Sequence, residues 1–127
     1  MTVLLDSWCW IEYFNGTRVG KKIAEYIDSE KNIFASVINL AEVYKQGLLK
    51  RNKDDADSMV GIMMSRCFIL PVEAETALNA AQLSCDRKWG LGDSLIYATA
   101  KSHKLQLVSG DHHFKKEKDV VFIEGIS

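Results

Sequence analysis

Apolar residues fall along this chain in short blocks, and their period changes from block to block. Val3, Leu4 and Leu5 stand three in a row and end on Asp6, the pattern of a short strand over residues 2–6 that is buried on both faces. "SWCWIEYF" follows without a turn residue and reads as a short helix closed by Asn15-Gly16. Over residues 17–31, Val19, Ile23, Tyr26 and Ile27 recur at helical spacing behind Thr17, a capping residue. "NIFASV" (32–37) predicts a second strand, "INLAEVYKQGLLKR" (38–51) a helix, and residues 54–65 another helix. "RCFILPV" (66–72) predicts a third strand that stops near Pro71. Ala74, Ala77, Leu78, Ala81 and Cys85 then repeat at three and four in a helix over residues 73–89. "WGLGD" breaks it, and a helix resumes over 93–104. Residues 105–109 and 120–123 predict the fourth and fifth strands, with a polar loop between them. Strands separated by helices predict a central parallel sheet of about five strands. Right-handed crossovers complete a three-layer α/β/α sandwich, here a single domain over residues 1–127.

Composition adds few exclusions. Of the 127 residues, 47% are apolar and 26% charged, and no linker, repeat or low-complexity stretch interrupts them. No apolar run reaches the roughly 20 residues of a membrane span, and no basic segment precedes a long apolar one. A cytoplasmic chain with no membrane contact is expected. Cys9, Cys67 and Cys85 are odd in number and widely spaced, so they read as small buried hydrophobes rather than disulfide partners or zinc ligands. The net charge of −1 excludes a globally basic polyanion binder. Local basic clusters exist, including Arg87 with Lys88 and Lys115 with Lys116.

The acids change the picture. In a parallel sheet, ligands bind beyond the carboxyl ends of the strands, where helices begin. Asp6 lies there, and so does Asp111, two residues past the fourth strand. Asp93 opens the helix after "WGLG", and Glu42 lies about two turns into the helix after the second strand. Each alone has a plain explanation as a cap, an Asx turn or a solvated charge. Together they put four carboxylates on one rim, with no Lys or Arg in the same motifs. Clustered carboxylates resist ionising together unless a cation neutralises them. Oxygen ligands without a His or Cys pattern suit Mg2+ or Mn2+, and such a cup is a site for phosphate chemistry.

"VLLDSWCWIEYF", "ASVINLAEVY", "GDSLIYATA" and "LVSGDHHF", in that order, resemble the PIN domain, particularly its VapC-type toxin ribonucleases. The resemblance covers essentially the whole chain. It implies that Asp6, Glu42, Asp93 and Asp111 are the metal-binding, catalytic acids, with Ser7 and Ser109 as their hydroxyl neighbours and Ser36 opening the Glu42 helix. Two positions depart from the pattern. Asn39 stands where Thr is frequent, and His113 where an Asp often precedes the Phe. His112 and His113 fit no zinc spacing and read as a solvated loop. The implied activity is a Mg2+- or Mn2+-dependent endoribonuclease leaving 5′-phosphate and 3′-hydroxyl ends. Its implied state is a homodimer held inactive by a cognate antitoxin.

Other readings are weaker. A haloacid-dehalogenase-like phosphatase needs a second Asp where Trp8 stands, and a receiver domain needs an Asp at the end of the third strand. A non-catalytic PIN-like module binding RNA or protein is the alternative, and retention of all four acids counts against it. Arg87, Lys88, Lys115 and Lys116 flank Asp93 and Asp111 and are the expected RNA contacts. Trp8, Trp10, Tyr13 and Phe14 crowd a helix too short to bury every ring, so some are expected to meet the antitoxin, with about half in the core.

Overall fold

Val3 and Leu5 face one way and Leu4 the other, and that alternation organises the two cores. The structure, a computed structural model, describes residues 2–29 and 32–124. Its elements run β1 (Val3–Leu5), α1 (Ser7–Asn15), α2 (Arg18–Asp28), β2 (Ile33–Ser36), α3 (Val37–Lys50) and α4 (Lys53–Arg66). There follow β3 (Phe68–Leu70), α5 (Ala74–Arg87), α6 (Leu91–Ser102), β4 (Gln106–Ser109), a short 3-10 turn (His112–Phe114) and β5 (Val120–Phe122). The end of the predicted second helix, residues 30–31, lies outside the described residues.

The five strands are all parallel in the order β3-β2-β1-β4-β5. Val3 and Leu5 pack with Trp10, Ile23, Ile27, Val43 and Met63, so α1 to α4 cover one face. Leu4 packs with Ile96, Tyr97, Leu107 and Phe114, so α5, α6 and the 3-10 turn cover the other. This is the expected three-layer sandwich of five parallel strands. The chain winds from β1 toward β3, then returns to place β4 on the opposite side of β1. The crevice between the carboxyl ends of β1 and β4 is therefore the topological switch point, where open α/β sheets bind ligands.

Three expectations are corrected. The helix expected from residue 93 begins at Leu91 with Gly90 as its N-cap, so Asp93 stands third in the helix and caps nothing. The apolar stripe of α5 is not its buried face: Thr76 and Ala80 are buried, whereas Ala81 and Cys85 are exposed and Leu78 is 69% exposed. Small residues let α5 lie close to α6, and the larger Leu78 is turned outward. Of the cysteines, Cys9 is buried and Cys67 partly so, but Cys85 is exposed; all three are free.

Candidate metal centre

Asp6 ends β1 and caps α1 in one stroke. Its Oδ1 accepts the Trp8 backbone N–H at 2.6 Å, and its own backbone N–H donates to the Val108 carbonyl of β4 at 3.1 Å. Ser109, at the end of β4, donates its hydroxyl to Asp6 Oδ2 at 2.5 Å and accepts the Asp111 N–H at 3.0 Å. One serine thus ties together the acids from the two strands flanking the switch point. Asp111 then caps the 3-10 turn by accepting the His113 N–H at 2.9 Å.

Glu42 is held from a different direction. Ser36 caps α3, accepting the N–H groups of Ile38 and Asn39, and the Asn39 side chain accepts the Ser36 N–H at 2.8 Å. This capping box leaves the Asn39 amide free to donate to Ser7 Oγ at 2.8 Å, and Ser7 donates onward to Glu42 Oε1 at 2.5 Å. Asn39 is fully buried, so its chain of bonds fixes where Glu42 points. On the far side, a Cβ added to Gly92 would lie 2.7 Å from Glu42 Oε2. Gly92 is glycine because the carboxylate of Glu42 comes down onto the first turn of α6. Gly110 answers the same need differently: the Trp8 ring lies on its Cα face, where any Cβ would overlap the indole. Neither glycine adopts a positive φ.

The structure brings the four acids into one electrostatic unit. Burial pushes the Asp6 carboxyl up to about 7; the Ser109 hydroxyl and Trp8 N–H oppose the rise, and the charges of Asp93 and Asp111 add to it. Asp93 is also raised, first by burial and then by the Asp111 carboxylate, with His113 pulling it back and Glu42 adding to the rise. Among the described residues no Lys or Arg pairs with any of the four. The donor set fits a hard divalent cation: carboxylate oxygens that repel one another, one carboxyl almost fully buried and its pKa raised by that burial. Among the described residues, the group whose ligand atoms all lie within 4.8 Å of one another is Asp93, Asp111 and His113; Asp6 and Glu42 stand outside it. His112 and His113 are both exposed, as expected of a solvated loop, but His113 also lies beside Asp93 and Asp111, whereas His112 packs against the Phe122 ring.

The other expected site residues are distributed less simply. Trp10 is completely buried and offers no surface to a partner; a helix laid flat on β1 and β4 turns this ring into the core. Trp8, Tyr13 and Phe14 are half-buried against the same core, and Tyr13 and Phe14 pack on the Trp10 ring. Exposed apolar surface lies elsewhere, along α3 and α4, where Leu49 is 68% and Met64 60% exposed. A shallow groove of about 380 Å³ there is lined by Val37, Leu40, Ala41, Tyr44, Asp57 and Val60. Of the basic residues, Arg87 pairs with Glu117 and lies over the Trp89 ring, and Lys115 stands 3.7 Å from Glu124. Lys88 and Lys116 are exposed without an ion pair among the described residues.

The PIN domain family profile matches residues 3–119. No curated protein matches the chain in sequence. Among solved structures, a toxin–antitoxin complex from Klebsiella pneumoniae is similar at 21% identity and TM-score 0.77, covering 94% of this chain and 95% of that one. VapBC2 from Rickettsia felis, bound to a DNA fragment from its promoter, is 20% identical with TM-score 0.75, over 97% and 98% of the two chains. The sarcin-ricin loop cleaving toxin VapC20 of Mycobacterium tuberculosis is 14% identical with TM-score 0.70, over 82% and 85%.

Proposed function

The chain belongs to the PIN domain family, and from that premise we propose that it is a divalent-metal-dependent endoribonuclease and the toxin of a toxin–antitoxin pair. One observation carries the catalytic part: the Asp6 carboxyl, pushed up to about 7, shares its crevice with Asp93, Asp111 and Glu42 and has no Lys or Arg partner among the described residues. Such an arrangement costs stability in the bare protein and is relieved by a cation. Asp6, Asp93, Asp111 and Glu42 would hold Mg2+ or Mn2+. When bound, the ion supplies Lewis acidity toward a phosphodiester and activates water at neutral pH. The protein's own part is placement. Ser109 orients Asp6, Ser7 orients Glu42 under the direction of Asn39, and the Asp111 cap fixes the turn that carries His113.

Similarity to the Klebsiella pneumoniae toxin–antitoxin complex and to VapBC2 supports an antitoxin partner. We place its apolar anchors on the α3–α4 groove, since the aromatic run of α1 is largely committed to the core. A homodimer would cover the exposed Leu78 stripe of α5. The test is cleavage of end-labelled RNA by the full chain. Cleavage should require Mg2+ or Mn2+, stop in EDTA, and fall by orders of magnitude in Asp6→Asn and Asp93→Asn while both variants remain folded. Undiminished cleavage in either variant, or after exhaustive chelation, would reject the reading.

A further inference from the structure

We propose that His113 is itself a metal ligand, through Nδ1, and that it tilts the cup toward Mn2+ and later transition ions over Mg2+. The inference rests on the metal-dependent reading above and adds to it a nitrogen donor outside the set of four acids. His113 Nδ1 lies 3.3 Å from Asp93 Oδ2 and 3.2 Å from Asp111 Oδ1. Two ligands at right angles on a six-coordinate ion stand roughly 3 Å apart, about 2.1 Å times the square root of two. The ring nitrogen therefore already keeps, to each carboxylate, the separation of neighbouring ligands on one ion.

Its placement is built by the chain rather than by the long reach of a flexible side chain. The Asp111 side chain accepts the His113 backbone N–H, and Phe114, the next residue, is fully buried against Tyr97 and Trp89. That buried anchor holds the 3-10 turn down, so His113 has a short side chain on a fixed backbone beside the first turn of α6. In the cation-free protein Nδ1 can donate its hydrogen to one of the two carboxylates it lies between. On ligation a neutral ring carries its proton at Nε2 instead and turns the Nδ1 lone pair toward the ion. Imidazole nitrogen favours first-row transition ions, whereas an all-oxygen set serves Mg2+ equally well.

The full chain is titrated with Mn2+ alone and with Mg2+ alone by calorimetry, and the Mn2+ complex is examined by pulsed electron paramagnetic resonance. The wild-type complex should show nitrogen-14 modulation from a directly bound imidazole. It should vanish in His113→Ala and His113→Asp and persist in His112→Ala. The preference for Mn2+ over Mg2+ should fall roughly tenfold in both His113 variants, with His113→Asp retaining Mg2+ binding. Bound Mn2+ without nitrogen modulation, or an unchanged Mn2+ to Mg2+ ratio in those variants, overturns the assignment and leaves the acidic centre intact. Mn2+ that fails to bind the wild-type chain, or binds Asp93→Asn equally well, overturns the metal-dependent reading and this inference with it.

Discussion

Asp6 does two incompatible things at once: it caps a helix as an acceptor and sits buried among other acids. The cap needs only a side-chain oxygen, which Asn supplies as well as Asp. The charge is what costs. Its carboxyl is raised from 3.8 to about 7 in the folded protein, so the unfolded chain ionises first as pH rises. Below about pH 4 both states are protonated and the penalty is absent; it grows between pH 4 and 7 and is complete above 7. That gap corresponds to on the order of 4 kcal/mol. Metal-free Asp6→Asn should therefore be more stable than wild type at pH 8, and the advantage should shrink steadily toward pH 4. Urea unfolding in EDTA across that range measures it. A variant destabilised equally at every pH would show that the cap and the Ser109 bond, not the charge, dominate at this residue.

At the scale of elements, two glycines that look alike in sequence have different neighbours. A Cβ at Gly20 in α2 would collide with the Glu12 backbone carbonyl of α1, which cannot move without separating the helices. A Cβ at Gly92 would meet only the far end of the Glu42 side chain. Gly20→Ala should then cost about 3 kcal/mol of stability by overpacking. Gly92→Ala should leave the melting temperature nearly unchanged but displace Glu42 from Ser7, lowering cleavage on the order of a hundredfold. Equal loss of stability in both would remove the distinction. These contacts also mark where the sequence stops being readable. The strands and helices could be placed to within a few residues because their periods are local: Val3 to Leu5, Thr17 with its stripe, and Pro71 all carry their signal nearby. The strand ends and helix starts brought the four acids forward, and the order of the family's motifs matched them. Gly92 against Glu42, Gly110 against Trp8 and His113 against Asp93 are meetings of distant segments, and no local period encodes them. The buried face of α5 was hidden for a related reason, since Thr76 and Ala80 are small and leave the stronger apolar signal to the outward Leu78.

Over the whole molecule, a net charge of −1 and an acidic crevice oppose RNA rather than attract it. Binding must then depend on a few cations positioned near the switch point, and the fold has already engaged some of them. Arg87 is held by Glu117 and the Trp89 face, and Lys115 lies near Glu124 and over the Phe122 ring. A cation already paired within the protein releases fewer counterions when a phosphate arrives, because it must first give up its partner. Lys88, beyond the end of α5 in a left-handed backbone conformation, and Lys116, past the 3-10 turn, carry no such partner among the described residues. Each phosphate contact on a single strand contributes about 0.7 to the slope of log affinity against log salt concentration. Neutralising Lys88 and Lys116 together should flatten that slope by about 1.4, and neutralising Arg87 and Lys115 by clearly less. Catalytically inactive Asp93→Asn serves as the background, so that binding to an uncleaved single-stranded RNA is what the salt series reads. An equal change in both pairs would mean that the internal ion pairs open freely on binding. No change in either would place the RNA path elsewhere on the surface, along the basic residues of α2 or the α3–α4 connection.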